Sequence, residues 1–393
     1  MLRVHKIKLD PTQAQAIYFA RACGVARFAY NWALAEWKAQ YAAGGKPSEM
    51  SLRKQLNGIK SEQFPWMAEV TKLAPEQSIM NLGTAFENFF RRVKQGGKAG
   101  YPKFKRRGLH DSFRAGAAGV TCDGKAIKLP RIGWIRMRES LRFEGIIKSA
   151  TVSKMADGWH VAVVVETLDC LSGPLGGGTV GADLGIKEFA TLSNGEVVPS
   201  LKPHRAEHAR LVRLSRSLSR KQNGSANRAK AKAKLARLHL SIANVRKDAL
   251  HKLTTSLATR FDIIAIEDLN VSGMVKNRCL ARSIADAGFA EFRRQLEYKT
   301  AMTGARLHVV DRFFPSSKTC HSCGTIHPMK LSDRVMACEC GNVMDRDLNA
   351  AMNLEQHAAS SAVSVCGESG SGSGRKTGVK PFSVKQKEVV CAD

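Results

Sequence analysis

Residues 180–196 read VGADLGIKEFATLSNGE, and the architecture of the C-terminal half follows from them. An apolar run ends in Asp183, and the next run turns back at Asn194 and Gly195, a pair that suits a tight hairpin. Further on, FDIIAIEDLN (261–270) is a buried strand ending in Glu267, and MDRDLNAAMNL (344–354) opens a helix beside Asp347. Between these lie a helical pair over 202–260, a helix over about 283–303 and a further strand, ARLHVVD. Strand, hairpin, crossover, strand, crossover and then a helix starting at a carboxylate is the order of an RNase H-like α/β fold. Each acid alone reads as an ordinary solvated side chain. In that fold the three converge, and hard oxygen ligands of this kind suit two Mg²⁺ ions that hydrolyse a phosphodiester.

The densest motif is Cys320-x-x-Cys323, fourteen intervening residues, then Cys338-x-Cys340 and Gly341. Two close pairs of thiolates match one tetrahedral Zn²⁺ with no open position, so this metal would be structural. The other six of the ten cysteines are scattered, which argues for a reducing compartment rather than a disulfide framework.

The chain carries 62 Lys plus Arg against 34 Asp plus Glu, a net charge of +28 over 393 residues, and a field this positive calls for a polyanion. No apolar run of membrane-spanning length and no signal-peptide pattern stands out, so the expected location is the cytoplasm and no membrane partner is expected. Within 202–260 there are 16 Lys or Arg but only Glu207 and Asp248 as acids. A merely solvated face would mix the signs, so phosphate contact is the reading, with Arg228 and Lys232 as candidates.

In the N-terminal half, LRVHKIKL (2–9) alternates as a strand, with Asp10 as N-cap and Pro11 as first residue of a helical region. Pro75 opens a helix whose Ile79, Leu82, Phe86, Phe89 and Phe90 fall at core spacing. On it, Gln77 and Asn81 lie four apart and are able to read base edges. From about 96 the pattern turns to Gly, Lys and short strands. The basic turn holds Lys98, Lys103, Lys105, Arg106 and Arg107 with Tyr101 and Phe104 between them, a set suited to gripping and stacking nucleic acid. Strands on both sides of a helical insertion suggest a β-barrel interrupted by a helical lobe.

The segments VGADLGIKEFATLSNGE, RLHLSIANVRKDALHKLTTSLATRFDIIAIEDLNVSGM, ARSIADAGFAEFRRQLEYK, RFFPSSKTCHSCG and CECGNVMDRDLNAAMNL resemble the TnpB family, transposon-encoded RNA-guided DNA nucleases related to type V CRISPR effectors. YPKFKRR and AFENFFRR extend the likeness into the N-terminal half. The resemblance implies a multi-domain chain, part α/β and part all-β. A wedge β-barrel would span 1–10 and 96–172, a helical recognition lobe 11–95 and a linker 173–178. A RuvC nuclease domain would span 179–315 and 341–357, with the zinc ribbon, 316–340, inserted, and a disordered tail would follow over 358–393. It implies Asp183, Glu267 and Asp347 as catalytic Mg²⁺ ligands, and Asp345, two residues earlier, competes with Asp347 for the third place. It further implies a guide RNA from the transposon end as cofactor, double-stranded target DNA cut beside a short adjacent motif, a role in transposon retention or homing, and no obligate protein partner. Two other readings compete: a zinc-ribbon nucleic-acid-binding regulator that does not cut, and a resolvase or transposase acting without RNA.

Overall fold

The computed structural model describes residues 1–167, 173–174, 176–330 and 332–366, with side chains to 361. They form two compact units, Met1–Ser172 with Lys202–His251, and Gly173–Leu201 with Lys252–Asp393. Among the described residues no helix is long and apolar enough to cross a membrane.

The first unit begins with β1 (Leu2–Asp10) and α1 (Gln13–Ala42). Asp10 is still strand, and the helix is capped by Thr12 instead. The Thr12 hydroxyl accepts from Gln15 N and the Gln15 side chain accepts from Thr12 N, which satisfies two otherwise orphaned donors. Then come α2 (Glu49–Gln63) and α3 (Leu73–Lys94), which starts two residues before Pro75. Proline fits there because first-turn N–H groups have no partner inside the helix. Ile79, Leu82 and Phe86 are buried and Trp37 stacks on Phe86 at 4.1 Å, whereas Phe90 is exposed.

The strands β2 (Ser112–Gly116), β3 (Thr121–Asp123), β4 (Ala126–Leu129), β5 (Gly133–Met137), β6 (Ile146–Met155) and β7 (Gly158–Glu166) join β1 in one antiparallel sheet ordered β2-β6-β7-β1-β5-β4-β3. The end strands β2 and β3 share no pairing among the described residues, so the pairings make a sheet rather than the closed barrel read from the pattern. Alternate residues of β7 (Trp159, Val161, Val163, Val165) are buried, and Phe19 of α1 meets Trp159 edge-on at 5.2 Å.

The basic helices are α4 (Pro203–Ala206), α5 (His208–Ser219) and α6 (Ala226–Arg260). Leu211, Leu238 and Ile242 form their buried seam, and Gly224 makes the turn at φ +82°. Most of this segment groups with the first unit, not with the nuclease domain as the sequence suggested. A 35-residue helix is about 52 Å long, more than one five-stranded sheet can cover.

The second unit is built on β8 (Thr179–Leu184), β9 (Glu188–Leu192), β10 (Val197–Pro199), β11 (Ile263–Glu267) and β12 (Arg306–Val310) in the order β10-β9-β8-β11-β12. β8, β11 and β12 are parallel, and β9 and β10 are antiparallel additions. α7 (Val271–Met274), α8 (Ala281–Ala287) and α9 (Phe289–Thr303) connect β11 to β12. The single helix expected over 283–303 is two, because Gly288, at φ +80°, ends α8 and starts α9.

The hairpin β13 (Val335–Ala337) and β14 (Val343–Asp345) leads into α10 (Arg346–Cys366). This helix continues past residue 357, where the fold was expected to end. Ala358 is wholly buried beside Leu354, Ala265 and Val310, since small side chains still pack where polarity alone suggested disorder. The remainder of the expected tail, 367–393, lies outside the described residues, as do 172 and 175 of the SGPLGGG run and 168–172 at the end of the first unit.

α10 crosses β8 in backbone contact. A Cβ on Gly181 would stand 1.9 Å from the Ala351 carbonyl oxygen and 2.7 Å from Glu355 N. No flexible side chain is there to yield, so only glycine permits the approach. Gly181→Ala should therefore destabilise the protein by about 1–3 kcal/mol or more, read in denaturant unfolding, and wild-type stability would overturn this account.

Candidate active site and metal centre

Parallel pairing sets Ala182 of β8 opposite Ile266 of β11. Asp183 and Glu267 each follow that pair by one residue, at the C-terminal ends of adjacent strands, whose backbones run about 4.8 Å apart. The Gly181 contact draws the N-terminal turn of α10, with Asp347 in it, over the same end.

Asp345 is occupied otherwise. Its Oδ1 accepts from the backbone N–H of Asp347 at 2.8 Å and of Leu348 at 3.1 Å, so it caps the helix that Asp347 rides on.

Burial, then the negative charges of Asp347 and Glu267, push the Asp183 carboxyl up to about 7, against the opposing pull of Arg346. Glu267 is also raised, by burial and then by Asp268. A buried carboxylate placed against the negative charge of two others is a position that a divalent cation relieves. Among the described residues the four cysteines are the group whose ligand atoms gather closely enough to share one ion, and the three carboxylates do not form such a group. Asp268, next to Glu267, is held by Arg293 and Arg312.

The cysteine sulfurs all lie within 4.8 Å of one another, with Cys320–Cys340 at 3.6 Å and Cys323–Cys338 at 3.5 Å. Tetrahedral Zn–S bonds of about 2.3 Å place sulfurs about 3.8 Å apart, so the donor set fits zinc. Each pair sits on a turn closed by glycine, Gly324 at φ +77° and Gly341 at φ +90°. Burial raises the Cys320 thiol, but N–H groups of Cys323 and Ser322 and the Asn342 amide outweigh it and hold it down to about 6.

Two residues absent from the sequence reading join this centre to the carboxylates. Asn349 and Asn353, both buried on α10, reach the turn leading into Cys320. Asn349 Oδ1 accepts from His321 N and its Nδ2 donates to Thr319 O, while Asn353 Nδ2 donates to Ser316 O and Thr319 O. Their signal was available: amides four apart on one helical face, at positions where a core helix would carry apolar residues.

The nucleic-acid candidates divide. Lys98, Lys103, Arg106 and Arg107 are exposed and form no ion pair among the described residues. Tyr101 packs edge-on against Phe86 and Phe89 of α3, and Lys38 of α1 lies over both Tyr101 and Phe104, so these aromatics belong to the helical lobe rather than to a barrel core. The Lys105 ammonium sits over the Tyr30 ring at 4.2 Å. Gln77 donates to Asn81 at 3.1 Å and accepts from Arg114 of β2 at 2.9 Å, a polar row that the sequence reading did not connect to Arg114. Lys232 is exposed. Arg228 has a structural task, since Nη1 donates to the carbonyls of Leu218 and Lys221 and so closes the end of α5.

Family comparison matches residues 160–278 to the OrfB family of IS605 elements, described as "Probable transposase", and 289–354 to "Cas12f1-like, TNB domain". It also matches 1–46 to "Helix-turn-helix domain", a stretch that is here a strand and one uninterrupted helix. A Streptomyces pristinaespiralis protein named "Putative RNA-guided DNA endonuclease" is 37% identical, covering 93% of this chain and 91% of its own. The Escherichia coli K12 protein "Putative RNA-guided DNA endonuclease InsQ" is 34% identical, covering 93% and 94%. Among solved structures, the effector in a Cas12f1–sgRNA–target DNA complex shares the fold at TM-score 0.55 and 15% identity, covering 88% of this chain and 83% of that one.

Two outcomes follow from the geometry. Metal analysis of the purified chain should find about one zinc, and Asn349→Ala should loosen it, measured as faster release to a chelator; a zinc-free chain would refute the centre. With Asp183 at about 7 against an ordinary 3.8, the folded state holds the extra proton. Stability of the protein without divalent ions should therefore fall as pH rises from about 4 to about 7 and level off above. Asp183→Asn should flatten that slope in pH-dependent unfolding.

Proposed function

This chain belongs to the TnpB family and is an RNA-guided DNA endonuclease, and we propose that Asp183, Glu267 and Asp347 are the carboxylates with which it cuts. The observation that carries the assignment is the negative charge of Asp347 and Glu267 acting together on Asp183, with Asp345 committed to the helix cap. In this reading the second unit is the RuvC-type nuclease with its zinc ribbon. The seven-stranded sheet and the helices of the first unit are the wedge and recognition parts. A transposon-derived guide RNA pairs with the target strand, so that base pairing reads the sequence and the protein reads duplex shape and the adjacent motif. The setting is the prokaryotic cytoplasm, and the consequence is retention or homing of the element.

Asp183, Glu267 and Asp347 would hold two Mg²⁺. Such ions supply a lowered pKa to the attacking water and charge neutralisation to the leaving oxygen. The protein's part is positional. Paired strand ends hold two of the ligands, the Gly181 contact brings the third, and the Asn349 and Asn353 tethers keep α10 from sliding. Exposed Lys98, Lys103, Arg106 and Arg107 suit the RNA or the motif-proximal duplex, and the Gln77–Asn81 row suits base edges of the motif. A regulator that only binds would have no use for a buried carboxylate surrounded by like charge.

Reconstituted with its guide RNA, each of the variants Asp183→Ala, Glu267→Ala and Asp347→Ala should lose target cleavage by ~10³-fold or more while still binding target DNA. Asp345→Ala should lose only helix stability, about 1 kcal/mol, and keep much of the cutting. Wild-type cutting by Asp347→Ala would overturn the assignment.

A further inference from the structure

Phe313 is 85% exposed, the most exposed large hydrophobic side chain among the described residues. Leaving a phenylalanine in water forgoes the stabilisation that burying its ring would bring. The segment is not loose. Its neighbour Phe314 turns inward, packs with Ala265, Val310, Leu354 and Ala358, and meets His357 edge-on at 5.0 Å. Phe313 N donates to Asp311 Oδ1 at 2.8 Å and Phe314 N to Asp311 O at 3.0 Å, which fixes the turn. On the other side, Arg312 grips Asp268, and Asp268 N donates to Val310 O at 2.9 Å. An outward aromatic ring is thus mounted on a backbone held from both sides.

Its location relates it to the cut. Val310 is the register partner of Glu267, and Phe313 follows Val310 by three residues, at most about 11 Å along the chain. A cleft of about 310 Å³ runs beside Glu267, and its walls carry Arg293, Arg294 and Arg312, which pair with Asp268, Glu297 and Glu291. An aromatic face left open to solvent close to a nuclease site suits nucleic acid whose bases are uncovered, because a base within a duplex has both faces occupied.

We propose that Phe313 is a positioning residue that stacks on one unpaired DNA base a nucleotide or two from the phosphate being cut, so that the strand entering this site is single-stranded there. This rests on the assignment of Glu267 to the active site. The ring makes no contact with reacting atoms; it sets the register of the strand against the carboxylates.

The test uses the full chain with its guide RNA and a target duplex carrying a single abasic nucleotide, stepped through the positions around the cut. Phe313→Ala should slow cleavage of the intact target about 5- to 150-fold, and Phe313→Tyr should restore it. At one position the abasic target should slow the wild type equally and slow Phe313→Ala no further. With 2-aminopurine at that position and Ca²⁺ in place of Mg²⁺, fluorescence should be quenched by the wild type and by Phe313→Tyr but not by Phe313→Ala. Thermal unfolding of Phe313→Ala should match the wild type, as expected for an exposed ring. Wild-type cleavage by Phe313→Ala, or additive slowing at every abasic position, would overturn the stacking role. If Glu267→Ala still cut normally, the active-site assignment would fail instead.

Discussion

The arrangement of the second unit depends on one contact between backbones, where α10 passes over β8 at Gly181. Ordinary helix-on-sheet packing is spaced by side chains. Here a strand residue without a side chain lets the carbonyl of Ala351 come where a Cβ would stand. The first turn of α10 is thereby brought to the end of β8, and Asp347 reaches a neighbourhood that Asp183 and Glu267 already share through strand register. The wholly buried Ala350, Ala351, Leu354 and Ala358 continue the same close seam along the helix.

Electrostatic strain is built on that seam. In a chain of net charge +28, the most perturbed carboxyl is one placed against two others, not one paired with a cation. The neighbouring acids are dealt with separately: Asp268 is neutralised by Arg293 and Arg312, and Asp345 is used as a helix cap. What remains at the strand ends is Asp183 beside Glu267 and Asp347, only partly offset by Arg346, a condition under which a divalent cation binds favourably to otherwise ordinary side chains. The cysteine cluster contributes at a distance. Through the loop that Asn349 and Asn353 hold, a centre with no open position becomes a brace for the helix that bears Asp347.

Where expectation and structure part, the reasons are local competitions. Asp10 is a good N-cap residue, but Thr12 with Gln15 forms a reciprocal box and wins by satisfying two donors rather than one. Gly288 sits inside a run with helical spacing, yet its freedom at positive φ divides that run into two helices. The alanine-rich stretch after 357 has too little apolar surface to announce a core, but it continues a helix that is already anchored, and a small side chain such as Ala358 suffices there. Arg228 shows the limit of counting charges, since its guanidinium serves the turn between α5 and α6.

The parallel strands, the hairpin at Asn194 and Gly195, the four thiolates and the three acids were all legible in the sequence, because periodicity, turn chemistry and ligand spacing are local properties. The sequence also carried the family. It favoured Asp347 over Asp345 only through the family pattern, and nothing local marked a role for Gly181, Asn349, Asn353 or Phe313. The glycine and the two amides were decided by tertiary structure, because each depends on what a residue meets across the chain: a helix backbone against Gly181 and a distant carbonyl for each amide, whereas the Asp345 cap is a contact with the next turn. For Phe313 the deciding fact is that nothing covers the ring while its neighbour is buried. Such meetings span 28 to 174 residues of sequence, from the His321–Asn349 bond to the Gly181–Glu355 approach, beyond the reach of any local pattern.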